Sequence, residues 1–190
     1  MPPGREREGR SGEPTEPPVV AVALGSNLGD RGENLRFGLR ELERQLERLR
    51  VSRVYRSHPR EGVPGNDFLN MCVAGRRPRN SGADDPRELL RQLLFIEMGS
   101  GRPAGDRRGG ARTLDLDLLL VGTRSVRTGS LRLPHPRLPH RDFVLRPLAE
   151  LLPGWRHPET GSTVEEMAAD LGEEEARPLR SVFMTGTDGG

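Results

Sequence analysis

The chain has 190 residues, enough for one domain with a sizeable core, and its formal net charge is only +2. All 30 residues counted as Lys or Arg are Arg, which excludes a phosphate-loop lysine and Schiff-base chemistry. Cys72 is the only cysteine, which excludes an intrachain disulfide and a cysteine-based zinc site. The near-neutral charge does not point to nucleic acid as a partner. No apolar run approaches a membrane span, and the N-terminal residues lack a signal-peptide apolar centre, so a cytoplasmic protein with no membrane partner is expected.

Residues 1–17 have no apolar residue beyond Met1 and read as a disordered tail. A single domain is expected over 18–172, followed by a C-terminal tail over 173–190. Val19 to Leu24 reads as a buried strand, and Gly25 to Asp30 as a turn. A helix is predicted from about Arg31 to Arg48, with Asp30 and Glu33 as a capping pair. Its stripe of Leu35, Leu39, Leu42, Leu46 and Leu49 has helical spacing. A strand, a glycine turn and a helix can cradle a phosphate, but the dinucleotide fingerprint is incomplete here, and the turn serves a purely structural role equally well.

Val51 to Ser57 reads as a second strand and Phe68 to Ala74 as a third, its hairpin partner across the Pro- and Gly-rich loop 58–66. Asn is depleted in strands, so Asn70 draws notice. Its amide suits the edge of a heterocycle, and a solvent-facing Asn explains it as well. Asp85, Pro86 and Glu88 start a second helix, buried through Leu89, Leu90, Leu93, Leu94 and Ile96. Glu97 lies near its C-terminal end, where the helix dipole disfavours an anion.

The stretch Gly99 to Arg112 is Gly-rich and carries Arg102, Arg107, Arg108 and Arg112. It leads into Leu114-Asp115-Leu116-Asp117-Leu118, where the alternation puts the leucines on one face and the two aspartates together on the other. Paired carboxylates repel unless water, basic side chains or a cation offset the charge. Mg²⁺ takes one or two carboxylates plus phosphates, and Arg recognises phosphate oxygens. An Arg loop beside an aspartate pair suits phosphoryl-type transfer; a wet strand face whose aspartates pair with those arginines has the same pattern.

Val126 to Leu133 reads as a short hairpin. Pro134, Pro136 and Pro139 then hold an extended loop presenting His135, Arg137, His140, Arg141 and Phe143. A short helix near Pro147–Leu152 and a last one over Thr163–Leu171 complete the chain. Strand, helix, strand, strand, helix, strand is the ferredoxin-like βαββαβ order: an α+β fold, an antiparallel sheet with helices on one face, an open opposite face and extra C-terminal elements. An RNA-binding module shares this order, but the first strand lacks the stacking aromatics that class uses.

With these residues in view, the chain resembles the 6-hydroxymethyl-7,8-dihydropterin pyrophosphokinases of folate biosynthesis, from about Val19 to about Leu152. The resembling motifs are Ala23 to Asp30, Tyr55-Arg56-Ser57, Asp67 to Asn70, Ile96-Glu97, Gly101-Arg102, Arg112 to Asp117, and Pro134 to Leu138 with Arg141 and Phe143. The resemblance implies a ferredoxin-like fold and transfer of pyrophosphate from MgATP to the pterin hydroxymethyl group, releasing AMP. It implies Asp115 and Asp117 as ligands of two Mg²⁺ ions, and Arg102 and Arg112 as catalytic phosphate holders. Ser57, Phe68, Asn70 and Phe143 would bind the pterin, and Glu97, Arg112, Leu118, His135 and Arg141 the ATP. Partners would be those two small molecules, with no nucleic acid and a monomeric state. Gly109 stands where many relatives carry Trp, Ala104 where a second loop Arg is common, and Pro136 where an aromatic often follows the histidine. The neighbouring readings are another Mg²⁺-dependent phosphoryl or nucleotidyl transferase and an Arg-rich RNA-binding module.

Overall fold

A computed structural model describes residues 17–59, 65–78, 85–101, 111–171 and 176–179. The leading strand β1 (Val19–Ser26) is central. It pairs antiparallel with β4 (Phe68–Arg76) on one side and with β5 (Asp115–Val121) on the other. Along the far edge of β4 lie β2 (Glu47–Val51) and β3 (Tyr55–Ser57), one at each end. The helices α1 (Arg31–Glu43) and α2 (Pro86–Gly99) pack on one face. The βαββαβ core of a ferredoxin-like α+β fold is therefore present, with the two central strands fully backed by helices.

That helix-covered face is where most of the apolar area goes. Val20, Val22 and Leu24 of β1 meet Leu35 and Leu42 of α1 and Leu89, Leu93 and Ile96 of α2, with Leu114, Leu116 and Leu118 beside them. Each such side chain contributes roughly 1.5–3 kcal/mol on leaving water. Asp30 caps α1 by accepting the Glu33 N–H at 3.0 Å, and Asp85 caps α2 by accepting from Arg87, with Pro86 in the first turn.

Several boundaries differ from those the sequence suggested. Helix α1 stops at Glu43 rather than near Arg48, because β4 is long enough to recruit Glu47–Val51 as a strand. Leu46 stays buried from the connection, so it belongs to the helical stripe by spacing but not by conformation. The second strand is two strands. It breaks at Ser52, whose hydroxyl accepts the Cys72 N–H and donates to the Arg53 carbonyl, replacing a ladder step.

The opposite face is not open along its length. Helix α3 (Asp142–Leu151) begins well before Pro147 and lays Val144, Leu145, Leu148 and Leu151 over Ala21, Cys72, Ala74, Leu119 and Leu120. The proline removes one early helical hydrogen bond, and burial of that apolar face outweighs the loss. The proline-rich loop before it also includes a single 3-10 turn, Leu138–His140. Helix α4 (Val164–Asp170), capped by Thr163 and Glu166, packs against α3. The hairpin strands β6 (Val126–Arg127) and β7 (Arg132–Leu133) form as expected. Residues 176–179, read from sequence as tail, dock instead: Ala176 is buried, and β8 (Arg177–Pro178) extends the sheet beyond β3. Among the described residues, no helix is long and apolar enough to cross a membrane.

One polar lock ties α3 to the sheet. Glu150 accepts the Tyr55 hydroxyl at 2.5 Å, and Arg53 through Nε at 2.8 Å and its backbone N–H at 2.9 Å. Burial pushes the Tyr55 hydroxyl up to about 12, and Glu150 acts in the same direction. Burial by itself would raise the Glu150 carboxyl, but the Tyr55 and Arg53 bonds outweigh it and hold it below the ordinary value. Tyr55 is the chain's one tyrosine, so tyrosinate absorbance reads it alone. We expect a midpoint near 12 in the folded protein and about 10 in denaturant. Between those values the folded state holds a proton that the unfolded chain has released. Stability from this group is full below about pH 10 and falls as pH rises through the window. A folded-state midpoint at the unfolded value would show that the lock does not form.

Candidate active site

The uncovered end of the second face is a floor of four strands, and the register lines up its side chains. Gly25 of β1 stands between Asn70 of β4 and Asp115 of β5, and Ala23 stands between Cys72 and Asp117. Beyond Asn70 lies β3, with Tyr55 opposite Asn70 and Ser57 opposite Phe68. The central strand thus offers only small side chains here, with polar groups rising on both sides.

On β5 the alternation holds as expected through Leu118. A bulge then shifts the register, so that Leu119 and Leu120 both enter the second core under α3 while Val121 returns to the first. Asp115 and Asp117 stand two residues apart on the floor side, roughly 6–7 Å along the strand. Each is held by an arginine: Arg112 ion-pairs with Asp115, and Arg141 Nη1 donates to Asp117 Oδ2 at 3.1 Å. His135 Nε2 lies 3.9 Å from Asp117 Oδ1. Burial holds the His135 imidazole below its ordinary value, against the opposing pull of Asp117. The aspartate side chains remain 26% and 30% exposed. Two hard oxygen donors that water can reach suit a hard divalent cation whose remaining ligands are phosphate and water. Among the described residues, no cluster of three or more His, Cys, Asp or Glu is gathered for a metal.

At the other end, Asn70 is only 6% exposed and donates from Nδ2 to Ser57 Oγ at 2.9 Å. That bond fixes the amide plane, leaving Oδ1 and the second N–H for a flat polar edge. Phe68 and Phe143 are both half-buried on this side, and the Arg141 guanidinium lies over the Phe143 ring at 5.5 Å. The floor therefore has an oriented amide at one end and a carboxylate–guanidinium cluster at the other, with Gly25 between Asn70 and Asp115.

Two expected site residues point elsewhere. Leu118 is buried in the core under α1 and α2, because even-numbered positions of β5 before the bulge face that way. Glu97, 3% exposed, places its carboxylate on the edge of β5, accepting the Leu116 N–H at 2.7 Å. Its place at a helix C-terminus thus serves the strand that carries the aspartates. Farther along that edge, the His135 N–H donates to the Leu119 carbonyl at 2.8 Å. Arg102, with Ala104, Arg107, Arg108 and Gly109, lies outside the described residues.

Asn27 is the contributor that residue-by-residue reading passed over. It is fully buried. Its Oδ1 accepts the Arg112 N–H at 2.6 Å, its N–H donates to the Arg112 carbonyl at 3.0 Å, and its carbonyl accepts the Asn66 N–H at 3.2 Å. One residue, through its side chain and its backbone, thus ties the β1–α1 turn to Arg112 and Asn66. The signal in the sequence was Gly65, whose positive φ of 114° and close approach to the Asn27 side chain admit no Cβ.

Residues 21–153 match the family model described as 7,8-dihydro-6-hydroxymethylpterin-pyrophosphokinase. The chain is 40% identical over 150 residues to the 2-amino-4-hydroxy-6-hydroxymethyldihydropteridine pyrophosphokinase of Synechocystis, covering 78% of this chain and 73% of that one. It is 38% identical over 135 residues to the Bacillus subtilis protein of the same description, covering 70% and 77%. Among solved structures, wild-type HPPK-DHPS of Plasmodium falciparum superposes with a TM-score of 0.62 at 12% identity. That match covers 84% of this chain and 45% of the longer one, and it bears on fold alone.

Proposed function

The chain belongs to the 7,8-dihydro-6-hydroxymethylpterin-pyrophosphokinase family, and from that premise we propose how its own residues divide the work. The activity is transfer of pyrophosphate from ATP to the hydroxymethyl group of hydroxymethyldihydropterin in folate biosynthesis. The pterin oxygen attacks the β-phosphorus, the bond to the α-phosphate oxygen breaks, and AMP leaves with the α-phosphate. The hydroxyl proton is given up as the new P–O bond forms.

Asn70, oriented by Ser57, reads the amide edge of the pterin, and Phe68 and Phe143 border the ring. Asp115 and Asp117 would hold two Mg²⁺ ions, Arg112 and Arg141 turn their charge toward the phosphates, and His135 lines the nucleotide side, while Glu97 acts through the β5 edge that it caps. Arg102 is proposed as a further phosphate holder on sequence grounds. Bound at the aspartates, Mg²⁺ supplies neutralisation of polyphosphate charge and makes the substrate hydroxyl more acidic. The chain's own part is positioning and preorganised charge: two arginines already aimed at carboxylates need little reorganisation when phosphate replaces a carboxylate oxygen.

The observation that carries the reading is the register itself, which sets an oriented amide and a carboxylate pair on opposite sides of the central strand β1. The test is nucleotide chromatography after mixing the protein with MgATP and 6-hydroxymethyl-7,8-dihydropterin. AMP formed only in the presence of pterin is the expected result. ADP would move the reading to a simple kinase, and free pyrophosphate to nucleotidyl transfer.

A further inference from the structure

Gly25 lies inside β1 with no left-handed φ, so the backbone does not ask for glycine there. A glycine within a strand is destabilising relative to alanine, so something else must offset it. A Cβ at this position would lie 3.2 Å from Asn70 Oδ1, 3.9 Å from Phe68 Cδ1 and 4.0 Å from Asp115 Cβ. The first of these is closer than ordinary van der Waals contact, and Asn70 cannot swing away freely while Nδ2 is bonded to Ser57.

We propose that Gly25 is a positioning residue for substrate recognition: its bare Cα lets the Asn70 amide lie against β1 in the orientation that reads the pterin edge. The inference rests on the pterin reading above and deepens it. The route runs through Asn70, so the effect belongs to pterin binding rather than to nucleotide binding. Gly38 offers a contrast. A Cβ there would meet Leu114 and Leu24 at 3.1 Å in the helix-covered core, so Gly38 is a packing glycine on the face away from the floor.

The test compares Gly25→Ala, Gly38→Ala and wild type, with thermal unfolding measured for each. For Gly25→Ala we expect KM for 6-hydroxymethyl-7,8-dihydropterin to rise at least about tenfold, with kcat and the KM for MgATP changed by less than about threefold. Gly38→Ala should lower the unfolding temperature and leave the pterin KM alone. In the Asn70→Ala background, where the crowded oxygen is absent, adding Gly25→Ala should cost less than about twofold more. An unchanged pterin KM in folded Gly25→Ala would overturn the inference, as would a further tenfold loss in the Asn70→Ala background. Equal losses for both substrates would also overturn it, by showing a general structural effect. If wild type itself neither turns over nor binds the pterin, the functional reading falls first and the inference with it. That outcome is separate from wild type binding normally and Gly25→Ala binding equally well.

Discussion

Replacing Asp117 with Ala is expected to lower kcat/KM for pyrophosphoryl transfer by about a thousandfold, or about 4 kcal/mol of transition-state stabilisation, and Asp115→Ala by a similar factor. Both carboxylates sit on the partly exposed side of β5 and neither packs into a core, so the fold has little to lose. What is lost is the hard-oxygen pair and the anchor of an arginine. Without Asp117, the 3.1 Å bond from Arg141 disappears. Asp117→Asn separates the two contributions. It keeps the shape and an acceptor for Arg141, and gives up the charge, so it should fall nearly as far as Asp117→Ala if metal holding dominates. Steady-state AMP formation with a parallel unfolding curve measures both. A folded Asp117→Ala enzyme within tenfold of wild type would sink the assignment of this pair as the phosphate-metal centre.

The second large effect is expected at Glu97, on stability. Its buried carboxylate is the partner of the Leu116 N–H on the outer edge of β5. Glu97→Ala leaves that N–H without an acceptor and opens a small void, at a cost of about 1–3 kcal/mol. For a chain of this size that is roughly a 3–10 °C fall in unfolding temperature. Glu97→Gln keeps an acceptor oxygen in place and should recover most of the loss. The single tryptophan, Trp155, anchored to the Gly122 carbonyl at 2.8 Å, provides the fluorescence signal. If Glu97→Ala melts with wild type while the KM for MgATP rises, the carboxylate acts on nucleotide alone and the strand-edge role is wrong.

The two effects meet on β5, and they divide what could be read locally from what could not. Alternation of Leu114, Leu116 and Leu118 with Asp115 and Asp117 is a property of successive residues, since neighbouring side chains on any strand face opposite ways. The caps at Asp30 and Asp85 are equally local, because a side chain three residues or fewer from its target meets it in one helix turn. So is the order of elements, and with it the ferredoxin-like core. The sequence by itself therefore determined which face of β5 is polar, where α1 and α2 begin and which motifs cluster near the aspartates.

Only the tertiary structure decided what those motifs touch. The bulge that sends Leu119 and Leu120 to the same face, the end of α1 at Glu43 and the docking of residues 176–179 all depend on partners distant in sequence. Glu97 seemed a misplaced helix anion until Leu116 arrived as its donor from 19 residues away. Asn27 was a turn residue until Arg112, 85 residues on, closed against it. Gly25 reads as one more glycine in a glycine turn, and its position between Asn70 and Asp115 exists only once three strands are in register. The physical reason is the range of the interactions. Period and capping act within a turn of chain, whereas register, edge capping and close approach are set by backbone hydrogen bonds and core packing between segments that the sequence keeps far apart.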